Sequence, residues 1–359
     1  MLKEGRVDWA TAEAMAVGSL LREGYNVRLS GQDVQRGTFS QRHFVFHDQQ
    51  SGATACPLNS WTAATGRLDV HNSHLSEFAV VGFEYGVSIA DAKGTLPIWE
   101  AQFGDFFNGA QVIFDAFVSS GEAKWGLQSG LVVLLPHGYD GTGPEHSSCR
   151  LERFLQMSSA PLDPHDQSRS PNWHVAHPTT PANYFHLLRR QMQQGFRKPL
   201  IVASPKTLLR LPAAQSSLEE FVGSTSFQPV VQDPRQPAAS SIRRLVLCSG
   251  KFYYELERER ASRKDDKTAI VRIEELCPLP APQIGAILAR YRRLKEVVWC
   301  QEEHRNMGAY TYVAPRLQAL LPRALQLKYV GRTEAAAPAA GYSKLHRQEL
   351  AAIFTDLFG

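Results

Sequence analysis

The sequence predicts an α/β fold built as two units, on three observations. Short apolar runs that end in Gly, Pro or an acidic residue alternate with longer segments that start at N-capping residues, the pattern of buried strands and helices. That rhythm breaks at a polar, Pro-containing stretch, residues 207–241, and then starts again. With 359 residues, the chain is long enough for each unit to bury a core of its own.

Asp8 opens a helix over Trp9-Ala10-Thr11-Ala12-Glu13-Ala14-Met15-Ala16-Val17-Gly18-Ser19-Leu20-Leu21, which closes at Gly24. Asn26 to Gly31 follows as a strand ending in a turn. A second helix is expected from Ser76, as its N-cap, to Ala90. Strand Leu96 to Glu100, a helix from about Phe107 to Ser119 and strand Leu131 to Pro136 complete a βαβ rhythm. Residues 158–173 are rich in Pro, Ser and Asp and read as a surface insertion. Strand His174 to His177 runs into Thr180-Pro181, an N-cap followed by proline at the first helical position, and a helix from Ala182 to Gln194. Pro199 to Ser204 is an apolar strand. Beyond residue 241 come strands Leu245 to Cys248, Ala269 to Ile273, Val297 to Gln301 and Leu327 to Val330, with helices between them and one at the C-terminus. The expected division is therefore a first domain over 1–206, a linker over 207–241 and a second domain over 242–359. A helix and a strand at the very start suggest that Met1 is not where the natural series of elements begins.

Composition narrows the function classes. A net charge of +4 is mild and the basic residues are scattered, so no nucleic-acid surface is expected. The five cysteines are far apart and form no Cys-x-x-Cys pair, which fits buried thiols in a reducing compartment. No apolar run approaches the ~20 residues of a membrane span, so no membrane partner is expected. Glu4, Asp8, Glu13 and Glu23 do not suit a signal or transit sequence. No Gly-x-Gly-x-x-Gly follows a strand, and neither a Walker loop nor a Gly-x-Ser-x-Gly elbow is present.

Three segments carry candidate chemistry. In His74-Leu75-Ser76-Glu77 a carboxyl stands in the first turn of an apolar helix, where it is partly desolvated; by spacing alone it is an ordinary helix-start acid. Trp99-Glu100-Ala101-Gln102-Phe103-Gly104-Asp105-Phe106-Phe107-Asn108-Gly109 places three phenylalanines between a strand and a helix. Such residues are core more often than ring-binding, although an aromatic wall gives a flat ligand about 0.5–1.5 kcal/mol beyond burial. Leu135-Pro136-His137-Gly138-Tyr139-Asp140-Gly141-Thr142-Gly143-Pro144-Glu145-His146 puts two histidines on a Gly-rich loop at a strand's C-terminal end, where α/β proteins commonly hold ligands. Metal ligation by them lacks a third ligand at convincing spacing, so no metal site is assigned. A further polar loop, Ser30-Gly31-Gln32-Asp33 to Arg42-His43, is by itself a solvated turn. Gln301-Glu302-Glu303-His304-Arg305 reads as a capped, solvated helix start.

In order and spelling these segments resemble the thiamine-diphosphate-dependent 2-oxoglutarate dehydrogenase E1 family. Gly37-Thr38-Phe39-Ser40-Gln41-Arg42-His43 and Glu274-Glu275-Leu276-Cys277 favour its 2-oxoadipate branch. The resemblance implies a transketolase-like pyrimidine-binding domain followed by a smaller C-terminal α/β domain. It implies that Glu77 bonds the aminopyrimidine of thiamine diphosphate, that Phe103 and then Phe106 flank the ring while Phe107 faces the core, and that His137 and His146 contact substrate or relay protons. Ser30, Gln32 and Asp33 would lie near the cofactor, with Arg36, Arg42 and His43 as less certain neighbours. Also implied are a 2-oxo acid substrate, a lipoyl-bearing E2 partner, a homodimer and a mitochondrial matrix location. The family's Gly-Asp-x…Asn motif, which holds Mg²⁺ and the diphosphate, is not in this chain. The expectation is thus a C-terminal part of such an enzyme, inactive alone. The alternative is a non-catalytic chain that serves subunit pairing or assembly.

Overall fold

The structure, a computed structural model, describes residues 5–61, 63–166 and 168–359. Gln167 of the expected insertion lies outside these. The main elements are α1 (Trp9–Arg22), β1 (Asn26–Gly31), β2 (Leu68–Asn72), α2 (Glu77–Ala90), β3 (Thr95–Glu100), β4 (Val132–Pro136), α3 (Leu151–Gln156), β5 (His174–Ala176), α4 (Pro181–Gln193) and β6 (Leu200–Ser204). They continue with β7 (Arg244–Cys248), α5 (Phe252–Ser262), β8 (Thr268–Ile273), β9 (Glu275–Cys277), α6 (Ala281–Arg290), β10 (Glu296–His304), α7 (Tyr310–Leu320), β11 (Leu327–Arg332) and α8 (Ser343–Phe358). Two compact units result, Met1–Pro136 with Thr180–Phe227, and His137–Thr179 with Gln228–Gly359.

In the first unit five strands run parallel in the order β6-β4-β3-β1-β2. Every residue of β4 and β6 is buried, as strands covered on both faces require. Gly31 pairs with Glu100 and Glu100 with Leu134, so the chain leaves β1 and β3 at one edge of the sheet. The Asp8 side chain accepts the Thr11 N–H and that of Thr180 accepts the Asn183 N–H, the caps that define α1 and α4. Trp9 stacks on Tyr184 with ring centres 5.2 Å apart, joining the two helices.

The α2 helix begins after Ser76, which is extended but makes no side-chain cap bond. Its buried residues, Val80, Val81, Glu84, Tyr85 and Ser88, form one stripe at helical spacing. Phe78 and Phe83, on the rest of its surface, are 50% and 55% exposed. The expected helix from Phe107 to Ser119 is instead broken into a 3-10 stretch (Gly104–Ala110), one α turn (Gln111–Ile113) and a π stretch (Phe114–Val118). Glycine at 104 and 109 weakens regular helix. The Ser119 and Ser120 hydroxyls bond back to the Asp115 carbonyl, opening the last turn.

In the second unit β8-β7-β10-β11 run parallel, and Val230–Val231 pairs antiparallel with β8. β5 and β9 form an antiparallel pair in which Glu275 faces Ala176. Val246, Cys248, Val298 and Cys300 pack with Phe252, Leu256, Ile353 and Leu357 of α5 and α8. The stretch expected as linker holds packed pieces at both ends. Ser216–Ser217 pairs with Arg6–Val7 in the first unit, and Asp233 is buried against Arg260 in the second. One expectation fails outright: Gln301 to His304 do not open a solvated helix but form the buried end of β10, each 5% exposed or less. Flanking strands cover both sides of β10, and Glu302 and Glu303 find Lys251 and His137, partners far away in sequence.

Candidate functional site

At the edge where β1 and β3 end, Glu77 shares a cleft with Gly31, Gln32, Ser73, Leu75, Val80, Trp99, Glu100, Ala101 and Gln102. The Glu77 carboxyl lies over Gly109: a Cβ there would meet Oε2 at 3.1 Å. Any larger residue at 109 would push the acid aside. Phe103, next along from Gln102, is half-buried and sits edge-on to Phe39 and Phe106, with centroids 5.6 and 6.0 Å away. Phe107 is fully buried and packs on Phe114. The structure thus brings Glu77 together with Gln32 and with Ala101-Gln102, the residues just before Phe103.

Other expected neighbours are placed differently. Ser30 is buried, and its hydroxyl donates to Glu84 at 2.6 Å; Arg28 Nε reaches the same carboxylate at 2.9 Å. Ser30 therefore ties β1 to α2 and orients the helix that carries Glu77. Asp33 is exposed, has φ 55° and pairs with Arg36 at 3.3 Å. Arg42 is buried between Glu13 and Glu100, 2.6 Å from each. His43 is exposed and its ring bonds the Ser40 carbonyl.

His137 and His146 belong to the second unit. His137 is 1% exposed, with Nε2 3.0 Å from Glu303 Oε1 and Nδ1 accepting the Cys149 N–H at 3.0 Å. Burial opposes charge on the ring, and Glu303 favours it. The Cys149 N–H decides between them because it needs a lone pair on Nδ1, and the thiol of Cys149, pushed up by burial, carries no charge at neutral pH. The ring is therefore the neutral Nε2–H tautomer, donating to Glu303. Burial likewise raises the Glu152 carboxyl, whereas Glu302 is buried yet held down at about 2 by the ammonium of Lys251. His146 is half-buried on the same loop, and its N–H reaches the Gly143 carbonyl at 3.4 Å. Sequence reasoning missed Glu302, Glu303 and Lys251; an acid pair directly after a strand of Val297-Val298-Trp299-Cys300 was the available signal.

The residues lining the cleft are of the kind that hydrogen-bond a polar ligand. It offers a carboxyl at a helix start and two glutamine residues, Gln32 and Gln102. A phosphate-bound metal does not fit these residues: among the described residues no group of three His, Cys, Asp or Glu could hold a metal ion. No described helix is long and apolar enough to cross a membrane.

Comparison with known proteins matches both parts of the chain to known families. Residues 5–212 match the family described as transketolase, pyrimidine binding domain, and residues 215–358 match 2-oxoglutarate dehydrogenase C-terminal. The chain is 56% identical over 347 residues to the 2-oxoadipate dehydrogenase complex component E1 of Xenopus laevis, covering 96% of this chain and 37% of that protein. For the human protein of the same name the identity is 54%, covering 98% and 38%. The 2-oxoglutarate dehydrogenase E1 component of Brucella anthropi is 49% identical, with coverage of 100% and 36%. The chain thus spans less than two-fifths of the length of these relatives. Because the pyrimidine-binding match takes in more than half of the chain and the whole Glu77 cleft, the chain belongs to the transketolase-type pyrimidine-binding family, followed here by a 2-oxoglutarate dehydrogenase C-terminal domain.

Proposed function

We propose that this chain supplies the pyrimidine-holding half of a thiamine-diphosphate-dependent 2-oxo acid dehydrogenase E1 component, acting on 2-oxoadipate or 2-oxoglutarate. In the full-length protein the acyl group would pass to the lipoyl arm of an E2 partner. The observation that carries this reading is the Glu77 carboxyl seated over Gly109 in a cleft with Gln32 and Gln102. When bound, thiamine diphosphate supplies the carbanion chemistry that decarboxylation of a 2-oxo acid needs.

The chain's own residues hold, orient and move protons. Glu77 holds a proton at its carboxyl against a ring nitrogen, and Gln32 and Gln102 offer amide groups to ring substituents. Phe103 and Phe106 fix the ring plane and keep water from it. On this reading His146 is the loop histidine that would meet substrate, while His137 holds the loop's base through Glu303. Mg²⁺ and the diphosphate would be held by residues outside this chain. The exposed Leu75, Phe78 and Phe83 around α2 support pairing with a second subunit.

The test is calorimetric titration of thiamine diphosphate with Mg²⁺ into the full-length protein and its Glu77→Ala variant, with turnover of both 2-oxo acids measured alongside. Tight binding with turnover, both sharply reduced in the variant, is expected. Equal affinity and turnover in the two proteins would overturn the reading.

A further inference from the structure

Lys251 lies in the turn between β7 and α5 and is 5% exposed, a burial at which an ammonium group needs partners. Its Nζ stands 2.9 Å from Glu302 Oε2, 2.5 Å from Glu255 Oε1 and 3.5 Å from Asp140 Oδ1. Glu255 is four residues along the same chain segment and Glu302 is on β10, but Asp140 belongs to the Gly-rich loop that runs from His137 to His146.

The methylene stem is fitted as closely as the charged head. A Cβ on Gly138 would come within 3.0 Å of Lys251 Cε and 3.1 Å of Cδ. Lys251 therefore grips the loop twice, at Gly138 through its stem and at Asp140 through its charge. His137 is fixed to Glu303, the neighbour of Glu302 on β10. Left to itself this loop would be conformationally broad, since Gly138, Gly141 and Gly143 have φ of +148°, +76° and +94°.

Stability alone does not account for the arrangement. Buried ion pairs are often no better for stability than well-packed apolar side chains. This one also keeps the His177 Nδ1 and Glu302 Oε1 atoms buried without a hydrogen-bond partner among the described residues. A costly polar cluster is better explained by the single conformation that it enforces.

We propose that Lys251 is a positioning residue for the reaction, whose buried ammonium ties Asp140 to Glu302 and so holds the 137–146 loop in the one shape that presents His146 to substrate. This rests on the reading of that loop as substrate-contacting. In the full-length protein, Lys251→Met keeps the stem and removes the charge. Hydrogen exchange across residues 138–147 is expected to accelerate by roughly ten-fold or more, with α1 unchanged. The kcat/KM for 2-oxoadipate should fall by about 10²-fold, the scale of a misplaced reacting group. Lys251→Arg should recover part of both, and affinity for thiamine diphosphate should not move. His146→Ala is the control for the loop's role. If it lowers turnover while Lys251→Met keeps wild-type exchange and kcat/KM, the inference falls and the functional reading stands. If His146→Ala has no effect on turnover, the reading falls and takes the inference with it. Should Lys251→Met fail to fold, Asp140→Asn cuts the same tether from the loop side, and unchanged exchange of residues 138–147 there overturns the proposal.

Discussion

Arg42 is clamped between Glu13 and Glu100, with Nε 2.6 Å from one carboxylate and Nη2 2.6 Å from the other, and all three residues are buried. Tyr184 adds its hydroxyl to Glu13 at 2.8 Å. The cluster joins α1, α4, the loop after β1 and the end of β3. It therefore sets the edge of the sheet at which the Glu77 cleft opens, so Arg42 reaches the site through the scaffold and not by contact.

Arg42→Met should destabilise the first unit by about 3–5 kcal/mol, because two carboxylates would be left buried without a cation. Urea unfolding followed by exchange protection of the β1 and β3 amides would show it. A loss below about 1 kcal/mol would mean that the carboxylates find water or protons instead.

Glu77→Gln keeps the shape of the acid and removes its titratable proton. Turnover by the full-length protein should fall by about 10²–10⁴-fold. Because Glu77 is half-exposed, the melting temperature should barely change. Wild-type turnover in this variant would leave Glu77 as an ordinary helix-start acid.

Phe103 and Phe107 should separate by phenotype. Phe103 is half-buried and follows the cleft-lining Gln102, so Phe103→Ala should weaken thiamine diphosphate binding roughly three- to ten-fold, the size of one lost stacking contact. Phe107 is fully buried, so Phe107→Ala should instead cost about 3–5 kcal/mol of stability. The reverse pattern would exchange their roles.

Local signals made much of this fold legible. Asp8 and Thr180 cap their helices as their spacing predicts, and the apolar runs are the parallel strands. The Glu77 cleft was readable for the same reason, since its parts lie at strand and helix ends within one stretch of chain. What escaped depends on distant partners. The isolation of Ser30 from the cleft rests on Glu84, and the burial of His137 rests on Glu303, 166 residues away. Glu302 and Glu303 looked solvated because nothing near them in sequence announces Lys251 or His137. Sequence order also misled about His137: it directly follows β4 of the first unit yet packs within the second.

His177 offers a pH test with a definite sign. Its ring is buried, and chiefly that burial pushes its pKa down to about 3, with the nearby Lys251 acting in the same direction and Glu302 against it. In the unfolded chain the same side chain titrates near ~6.5. Between these values the unfolded state binds a proton that the folded state refuses, so stability falls as pH drops, by about 1.4 kcal/mol per unit. Glu302 has the opposite history: held at about 2 by Lys251, it begins to lose its stabilising effect only below the ordinary carboxylate value of ~4.3. The window from pH 6.5 to about 4.5 therefore reports His177 without Glu302. Exchange protection of the β7 and β10 amides in the full-length protein should weaken across it by about 2.3 kcal/mol more than in the His177→Gln variant. Equal slopes for the two proteins would mean that the proton taken up on acid unfolding belongs to another group.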